Sequence, residues 1–176
     1  MKGKVALVTG GSSGIGLATA KAFARQGVRV VIASRGKAAA TAALKELAGA
    51  GDATWQPVDV ADGKSVARLI ATAMGEHGRL DYAFNSGGSG YPTSVFLCRS
   101  AEIAAMKRSG TSVIVNNASV DGLRGYPFPG GAAYSAARHL SRMDRHSAGC
   151  RLDETQQGGR AGHHQADAAR NDRRAC

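Results

Sequence analysis

Blocks of buried-strand character alternate with amphipathic stretches from the start of the chain to about residue 138. Short apolar runs predict five strands, and stretches with helical spacing predict the helices between them. The predicted strands are residues 5–8, 28–33, 53–58, 79–84 and 112–117. The first predicted helix begins at Leu17, and three more cover Lys37–Ala48, Asp62–Gly75 and Ser94–Arg108. Asp62 is the predicted N-cap of the third helix. This alternation predicts an α/β fold, a doubly wound parallel sheet with right-handed connections.

The pattern changes beyond residue 138. Residues 139–176 contain no Val, Ile, Phe, Tyr, Trp or Lys, and their large apolar side chains are Leu140, Met143 and Leu152. Such a segment cannot offset its conformational entropy by burial, which predicts disorder over most of it. We therefore divide the chain into a domain at 1–138 and an irregular tail at 139–176. The Arg-, Ala-, Gly- and His-rich tail also suggests out-of-frame translation of GC-rich DNA.

A glycine-rich loop links the first predicted strand to the first predicted helix. Backbone N–H groups of such a loop, together with the positive end of the helix dipole, meet a phosphate at close range. We expect glycine at positions 10 and 16 because side chains there would separate the backbone from a pyrophosphate. A tight turn without a ligand looks similar, but the loop follows the first strand of an alternating chain. The candidate cofactor-binding residues of this loop are Thr9, Gly10, Ser12, Ser13, Gly14, Ile15 and Gly16.

The spacing Thr-Gly-x-x-x-Gly-x-Gly resembles the cofactor loop of the short-chain dehydrogenase/reductase family. Later segments resemble that family in the same order. They are Asp59-Val60, Asn85-Ser86-Gly87-Gly88, a strand ending on Ser119, and Tyr134-Ser135-Ala136-Ala137-Arg138. The resemblance covers residues 4–138 and implies a Rossmann-like fold, hydride transfer between NAD(P)(H) and a small alcohol or carbonyl substrate, and frequent homo-oligomers. It also implies that Asp59 and Val60 contact adenine and that Asn85 lies near the cofactor.

The end of the second strand indicates which dinucleotide is preferred. An acidic residue there would bind the ribose 2′-hydroxyl of NAD and repel a 2′-phosphate. This chain has Ser34-Arg35 instead. A guanidinium pairs with phosphate oxygens and a serine hydroxyl adds a hydrogen bond, so we expect NADP(H) to be preferred over NAD(H). The alternative is an ordinary surface arginine.

The resemblance assigns catalysis to Ser119, Tyr134 and Arg138. Reduction of a carbonyl needs a proton donor beside the carbonyl oxygen. A tyrosine has an ordinary pKa near 10 and must be acidified by a nearby cation to serve at neutral pH. Tyr134 would be the general acid/base, Ser119 would hold the substrate oxygen by a hydrogen bond, and Arg138 would supply the cation.

Several departures from the family pattern concern catalysis. Arg138 replaces a lysine, and its guanidinium is longer, planar and forked. The segment between Asn85 and Ser94 is short, and Tyr91 stands where the family has a catalytic asparagine. The family's later strand and substrate lid have no counterpart, which would leave the fifth strand as a sheet edge. Two hypotheses follow: an NADP(H)-dependent reductase, or a truncated, catalytically silent dinucleotide-binding fragment.

Composition and charge limit the remaining classes. No apolar run approaches the ~18 residues of a membrane helix, and we expect no signal peptide before the first strand. Three scattered cysteines and five histidines lack ligand spacing, so we expect no metal site, reduced thiols and a cytoplasmic location. A net charge of +10 suggests nucleic acid as a third hypothesis. It is not favoured, because no aromatic residues interleave the basic ones.

Overall fold

The order of elements follows the predicted alternation of strand and helix. The computed structural model describes residues 1–87, 92–107, 109, 112–117 and 140–143. Its strands are β1 (Val5–Thr9), β2 (Arg29–Ser34), β3 (Ala53–Pro57), β4 (Tyr82–Asn85), β5 (Ser112–Asn116) and β6 (Leu140–Met143). Its helices are α1 (Gly14–Arg25), α2 (Lys37–Ala48), α3 (Gly63–His77) and α4 (Pro92–Met106).

The six strands form one sheet in the order β3-β2-β1-β4-β5-β6. The first five strands are parallel, and Thr9 at the end of β1 is registered with Ala33 of β2 on one side and Asn85 of β4 on the other. Parallel strands need helical crossovers, which here lie on both faces of the sheet. The predicted Rossmann-like α/β fold is confirmed.

Both faces of the central strands are buried. On one face, Leu7 and Val31 pack with residues of α3 and α4. On the other, Val8 and Ile32 pack with alanines and leucines of α1 and α2. Because successive side chains of a strand point to opposite faces, the continuous apolar runs of β1 and β2 supply both layers of the core.

Most predicted boundaries agree with the structure to within a few residues. Helix α3 has Asp62 as its N-cap, and the carboxylate accepts hydrogen bonds from the N–H groups of Lys64 and Ser65. It runs to His77, beyond the predicted end at Gly75, and stops at Gly78, whose φ of 70° is left-handed. The fourth strand begins at Tyr82 rather than at residue 79, because the residues before it form an ion cluster around the buried Asp81.

The sixth strand is a departure from the predicted pattern. Residues 140–143, which the sequence assigns to the tail, pair antiparallel with β5, with Leu140 opposite Val115 and Met143 opposite Ser112. The fifth strand is therefore not the edge of the sheet. An extended segment satisfies the outer N–H and C=O groups of β5 whatever its side chains are, so apolar periodicity does not reveal it.

Among the helices that the structure describes, none is long and apolar enough to cross a membrane.

Candidate functional site

A cleft of about 460 Å³ opens where β1, β2 and β3 end. The strand order reverses at β1, which has β2 on one side and β4 on the other. Such a reversal leaves a crevice at the carboxyl ends of the strands, where open α/β sheets bind ligands. The cleft is lined by Gly10, Ser12, Ser13, Gly14, Ile15, Ala33, Ser34, Arg35, Gly36, Val58, Asp59, Val60, Ser86 and Gly87.

Three of the twelve predicted cofactor-binding residues do not line this cleft. They are Thr9, Gly16 and Asn85, which lie behind its wall. The sequence analysis in turn missed Ala33, Gly36, Val58, Ser86 and Gly87, which do line it. Each of these lies within two residues of the carboxyl end of a parallel strand, so the rule that carboxyl ends of strands meet at one edge could have found them.

The structure gives a packing reason for two of the loop glycines. A Cβ at Gly10 would lie 2.8 Å from the backbone N of Gly87, and one at Gly16 would collide with the carbonyl oxygen of Gly10. Glycine at these two positions therefore packs the loop against the protein itself. At Gly14, where φ is +52°, a Cβ would meet nothing within 4 Å. This is the glycine that keeps the open side of the loop clear.

The first turn of α1 faces the cleft without a side-chain cap. Ser13 is the N-cap residue, and its side chain makes no capping hydrogen bond. Helix geometry leaves the first N–H groups without carbonyl partners, and the helix dipole adds positive charge there. The loop and this helix end therefore fit an anionic group such as a pyrophosphate.

The end of β2 brings a hydroxyl and a cation to the same cleft. The Ser34 hydroxyl is half-buried and accepts a hydrogen bond from Trp55 Nε1 at 3.1 Å. Arg35 is exposed, and no acidic side chain in the described part of the chain pairs with it. The backbone joins the two halves of the site, because Gly10 N donates to Ala33 O at 2.8 Å.

Asp59 lies on the opposite wall, at the end of β3. Its Oδ1 accepts a hydrogen bond from Ala61 N at 3.0 Å, and its own N–H donates to Ser65 Oγ at 3.0 Å. These bonds fix the turn into α3, in which Asp62 rather than Asp59 is the cap. Asp59 and Val60 both line the cleft.

A buried polar network ties the strand ends together behind the cleft. Thr9 Oγ1 donates to Asn85 Oδ1 at 3.1 Å and lies 3.4 Å from Gly87 N. Asn85 Nδ2 donates to Asn116 Oδ1 at 3.0 Å and to Glu102 Oε2 at 2.9 Å. Thr9, Asn85 and Asn116 are the last residues of three adjacent strands. The network therefore fixes the relative heights of β1, β4 and β5, and with them the glycine loop.

Glu102 is the unusual member of this network. The side chain is fully buried on α4, and within the described part of the chain its Oε1 has no hydrogen-bond partner. Burial raises the pKa of Glu102 to about 7, and the hydrogen bond from Asn85 offsets only part of that effect. Cys98 lies one turn earlier on the helix, where burial and the neighbouring Glu102 raise its pKa to about 12. The thiol is therefore neutral, and it is not a nucleophile at physiological pH.

Within the described residues, no group of three or more His, Cys, Asp or Glu side chains could hold a metal ion. The polar side chains that line the cleft are those of four serines, Arg35 and Asp59.

Comparison with known proteins decides the family. A sequence profile of the short chain dehydrogenase family matches residues 4–93, about half of the chain. The chain belongs to the short-chain dehydrogenase family. Members of this family bind NAD or NADP, which agrees with the glycine loop and the uncapped helix end in the cleft.

Relatives of this short-chain dehydrogenase extend the match. The chain is 34% identical over 163 residues to the 2,5-dichloro-2,5-cyclohexadiene-1,4-diol dehydrogenase LinX of Sphingobium indicum, covering 81% of this chain and 64% of that protein. A Burkholderia xenovorans structure described as a short-chain dehydrogenase/reductase is 34% identical with a TM-score of 0.66, covering 78% and 64%. A variant actinorhodin polyketide ketoreductase with NADPH is 31% identical with a TM-score of 0.64, covering 70% and 56%. The chain thus spans less than two thirds of the length of these relatives.

The three residues that the family resemblance assigns to catalysis, Ser119, Tyr134 and Arg138, lie outside the described residues. The structure does describe how the chain leaves β5 toward Ser119. Asn117 N donates to Asn85 O at 2.8 Å, and Asn117 Nδ2 donates to Ser86 Oγ at 3.3 Å. Asn117 therefore lies beside Ser86, a residue of the cleft wall.

Proposed function

We propose that this short-chain dehydrogenase binds NADP(H) in the cleft and transfers hydride between that cofactor and a small alcohol or carbonyl substrate. One observation carries the proposal. The glycine loop at the end of β1 and Ser34-Arg35 at the end of β2 line a single cleft. A dinucleotide needs both: donors for its pyrophosphate, and a group that recognises the substituent on its adenosine ribose.

Charge at the end of β2 supports NADP(H) over NAD(H). The position that would carry a carboxylate for a ribose 2′-hydroxyl is Ser34, and the residue after it is Arg35. An exposed guanidinium with no carboxylate partner loses no ion pair when it meets a phosphate. The carboxylate of Asp59 also lines the cleft, with one oxygen bonded to the N–H of Ala61.

The bound cofactor supplies or accepts the hydride. Tyr134 gives the substrate oxygen its proton or removes it, and Ser119 holds that oxygen by a hydrogen bond. Arg138 would supply the cation that the lysine supplies in the family. Because a guanidinium is bulkier and forked, we expect slow turnover rather than loss of cofactor binding.

Cofactor titration tests the binding half of the proposal. Arg35→Gln should weaken NADPH binding by about tenfold or more, because a charge-assisted hydrogen bond to phosphate is lost. NADH binding should change little, and the NADPH loss should shrink at high salt. Arg29→Gln is the matched control, because it removes the same charge at the other end of β2. Arg29 is the first residue of that strand, whereas Arg35 follows its last residue. Equal losses in both variants, or equal losses for both cofactors, would contradict a 2′-phosphate site.

Turnover separates the reductase from a silent binding module. A specific feature favours the second candidate: Tyr91 and Arg138 replace an asparagine and a lysine of the family's catalytic set. A reductase should oxidise NADPH with some member of a panel of aldehydes and ketones, and Tyr134→Phe should abolish that rate while leaving NADPH affinity unchanged. Binding without turnover on any carbonyl would identify the silent module. Salt-steep DNA or RNA binding that excess NADPH does not displace would identify a nucleic-acid protein instead.

A further inference from the structure

The indole of Trp55 reaches from β3 to the end of β2. In the sheet register Ile32 lies opposite Trp55, and Ser34 lies opposite Pro57. Ile32, Ser34 and Trp55 therefore point to the same face, on which Trp55 packs against the core that contains Ile32. From there Trp55 Nε1 comes within 3.1 Å of Ser34 Oγ. The ring is anchored by packing below and directs its single polar atom at a residue of the cleft.

The donor and acceptor roles in this pair are fixed. An indole N–H can only donate, whereas a serine hydroxyl has one proton and two acceptor lone pairs. Trp55 therefore occupies a lone pair of Ser34 and does not take the hydroxyl proton. No other hydrogen bond involves the Ser34 hydroxyl among the described residues. The proton of Ser34 remains available to a ligand in the cleft.

We propose that Trp55 is a positioning residue that orients Ser34 as a hydrogen-bond donor and so favours a ligand carrying a phosphate over one carrying a hydroxyl. The inference rests on the proposed NADP(H) site. Beside Arg35, the cleft then presents two donors at the end of β2, and Trp55 already uses one of the two acceptor lone pairs of the Ser34 hydroxyl. A phosphate offers several acceptor oxygens and satisfies both donors at once. A single ribose hydroxyl satisfies these two donors less completely, which costs affinity in a partly buried site.

The test compares the affinities of NADP⁺ and NAD⁺ across a double-mutant cycle. Trp55→Phe removes the donor and keeps an aromatic ring, Ser34→Ala removes the acceptor, and Ser34→Thr keeps a hydroxyl. Losing one such hydrogen bond should weaken NADP⁺ binding by about fivefold in either single variant. NAD⁺ affinity should stay within about twofold. The double variant should lose no more than Ser34→Ala alone, because coupled residues are non-additive. Ser34→Thr should retain most of the preference for NADP⁺ over NAD⁺, because it keeps the hydroxyl.

Thr54→Val is the matched control. Thr54 neighbours Trp55 on the same strand, and its buried hydroxyl has no hydrogen-bond partner in the described ranges. It should leave both affinities unchanged. Equal losses of NADP⁺ and NAD⁺ in Trp55→Phe would show a packing role only and overturn the inference. Additive losses in the double variant would overturn it as well. If the unaltered chain binds neither dinucleotide, the proposed function itself is refuted, which is a separate result.

Fluorescence gives a readout that leaves Trp55 in place. Trp55 is the single tryptophan of the chain, so tryptophan emission reports on the surroundings of this one ring. The oxidised cofactors are used because reduced nicotinamide absorbs tryptophan emission. NADP⁺ should change the emission more than NAD⁺ does, and Ser34→Ala should remove that difference. An unchanged difference in Ser34→Ala would contradict the role of the pair, even if Trp55→Phe fails to fold.

Discussion

Two buried carboxylates lie at opposite ends of the sheet in opposite electrostatic surroundings. Asp81 precedes β4 at the amino end, and Glu102 meets Asn85 at the carboxyl end. Both are almost completely inaccessible, with 1% and 0% of their surface exposed. Burial by itself raises the pKa of any carboxyl group because it penalises the charged form. What differs is how many donors each one receives.

At the amino end of the sheet, the buried carboxylate of Asp81 has several hydrogen-bond donors. Asp81 accepts hydrogen bonds from Arg79 Nε at 2.8 Å, Val5 N at 3.0 Å and Lys4 Nζ at 3.0 Å. Burial opposes ionisation of Asp81, but these donors outweigh it and lower its pKa. At the carboxyl end, Glu102 receives one hydrogen bond from a neutral amide, and no group among the described residues donates to its Oε1. The comparison teaches that the amino end of the sheet, away from the cleft, stabilises its buried carboxylate with several donors. The carboxyl end, beside the cleft, buries a carboxyl group with too few donors to stabilise its charge.

The largest expected effect on stability comes from removing the Asp81 carboxylate at the amino end of the sheet. Asp81→Ala leaves the buried N–H of Val5 without its acceptor and leaves Lys4 and Arg79 without their shared carboxylate partner. It should therefore cost about 3 kcal/mol of unfolding free energy. The measurement is urea denaturation at neutral pH. Asp52→Ala is the control, because Asp52 forms an exposed ion pair in which its Oδ2 lies 3.8 Å from Arg29 Nε. The control should change stability by less than about 0.5 kcal/mol. A similar cost in both variants would remove the distinction between the two ends.

Asp81 also makes a pH prediction. Its pKa is lowered in the folded state, so its contribution is present above the unfolded value of 3.8 and is lost as pH falls through the folded pKa. Acid denaturation should therefore begin at higher pH in Asp81→Ala than in the unaltered chain. Identical acid transitions would show that the ion cluster contributes nothing to folding.

The carboxyl end should respond to pH in the opposite direction. The pKa of Glu102 rises from 4.5 to about 7 on folding. Its contribution to stability is therefore fully present below 4.5 and is lost as pH rises through about 7. Glu102→Gln keeps an acceptor for Asn85 and carries no charge, so it should stabilise the fold at pH 8 by on the order of 2 kcal/mol and change little at pH 5. Denaturation at the two pH values checks this. A variant less stable than the unaltered chain at pH 8 would contradict the raised pKa.

Sequence patterns predict the two ends of the sheet unequally well. The parallel strands and the glycine loop follow from local signals, namely apolar runs and a glycine spacing at known positions. Asp81 and Glu102 give no such signal: one lies inside a predicted strand and the other inside a predicted helix. Their roles depend on partners such as Lys4 and Asn85, which are 77 and 17 residues away.

The residues of the candidate site also differ in how well the sequence predicts them. Ser34 and Arg35 were predicted because the residue after the second strand has a known function in dinucleotide folds. Trp55 was not, because its importance comes from a register of β2 with β3 that no local pattern specifies. The strand at 140–143 was missed for a related reason, since backbone pairing rather than apolar side chains joins it to β5.

The smallest expected effect separates structure from function at the two ends. Thr9 and Ser112 both carry buried hydroxyls that hydrogen-bond across the sheet, Thr9 to Asn85 at the cleft end and Ser112 to Leu80 O at the other. Thr9→Val and Ser112→Ala should each cost about 1 kcal/mol of unfolding free energy. Only Thr9→Val should also weaken NADPH binding, because Thr9 Oγ1 contacts Gly87 N in the wall of the cleft. Parallel denaturation and NADPH titration measure both quantities. If the two variants lose the same affinity, cofactor binding depends on global stability and the cleft end has no separate role.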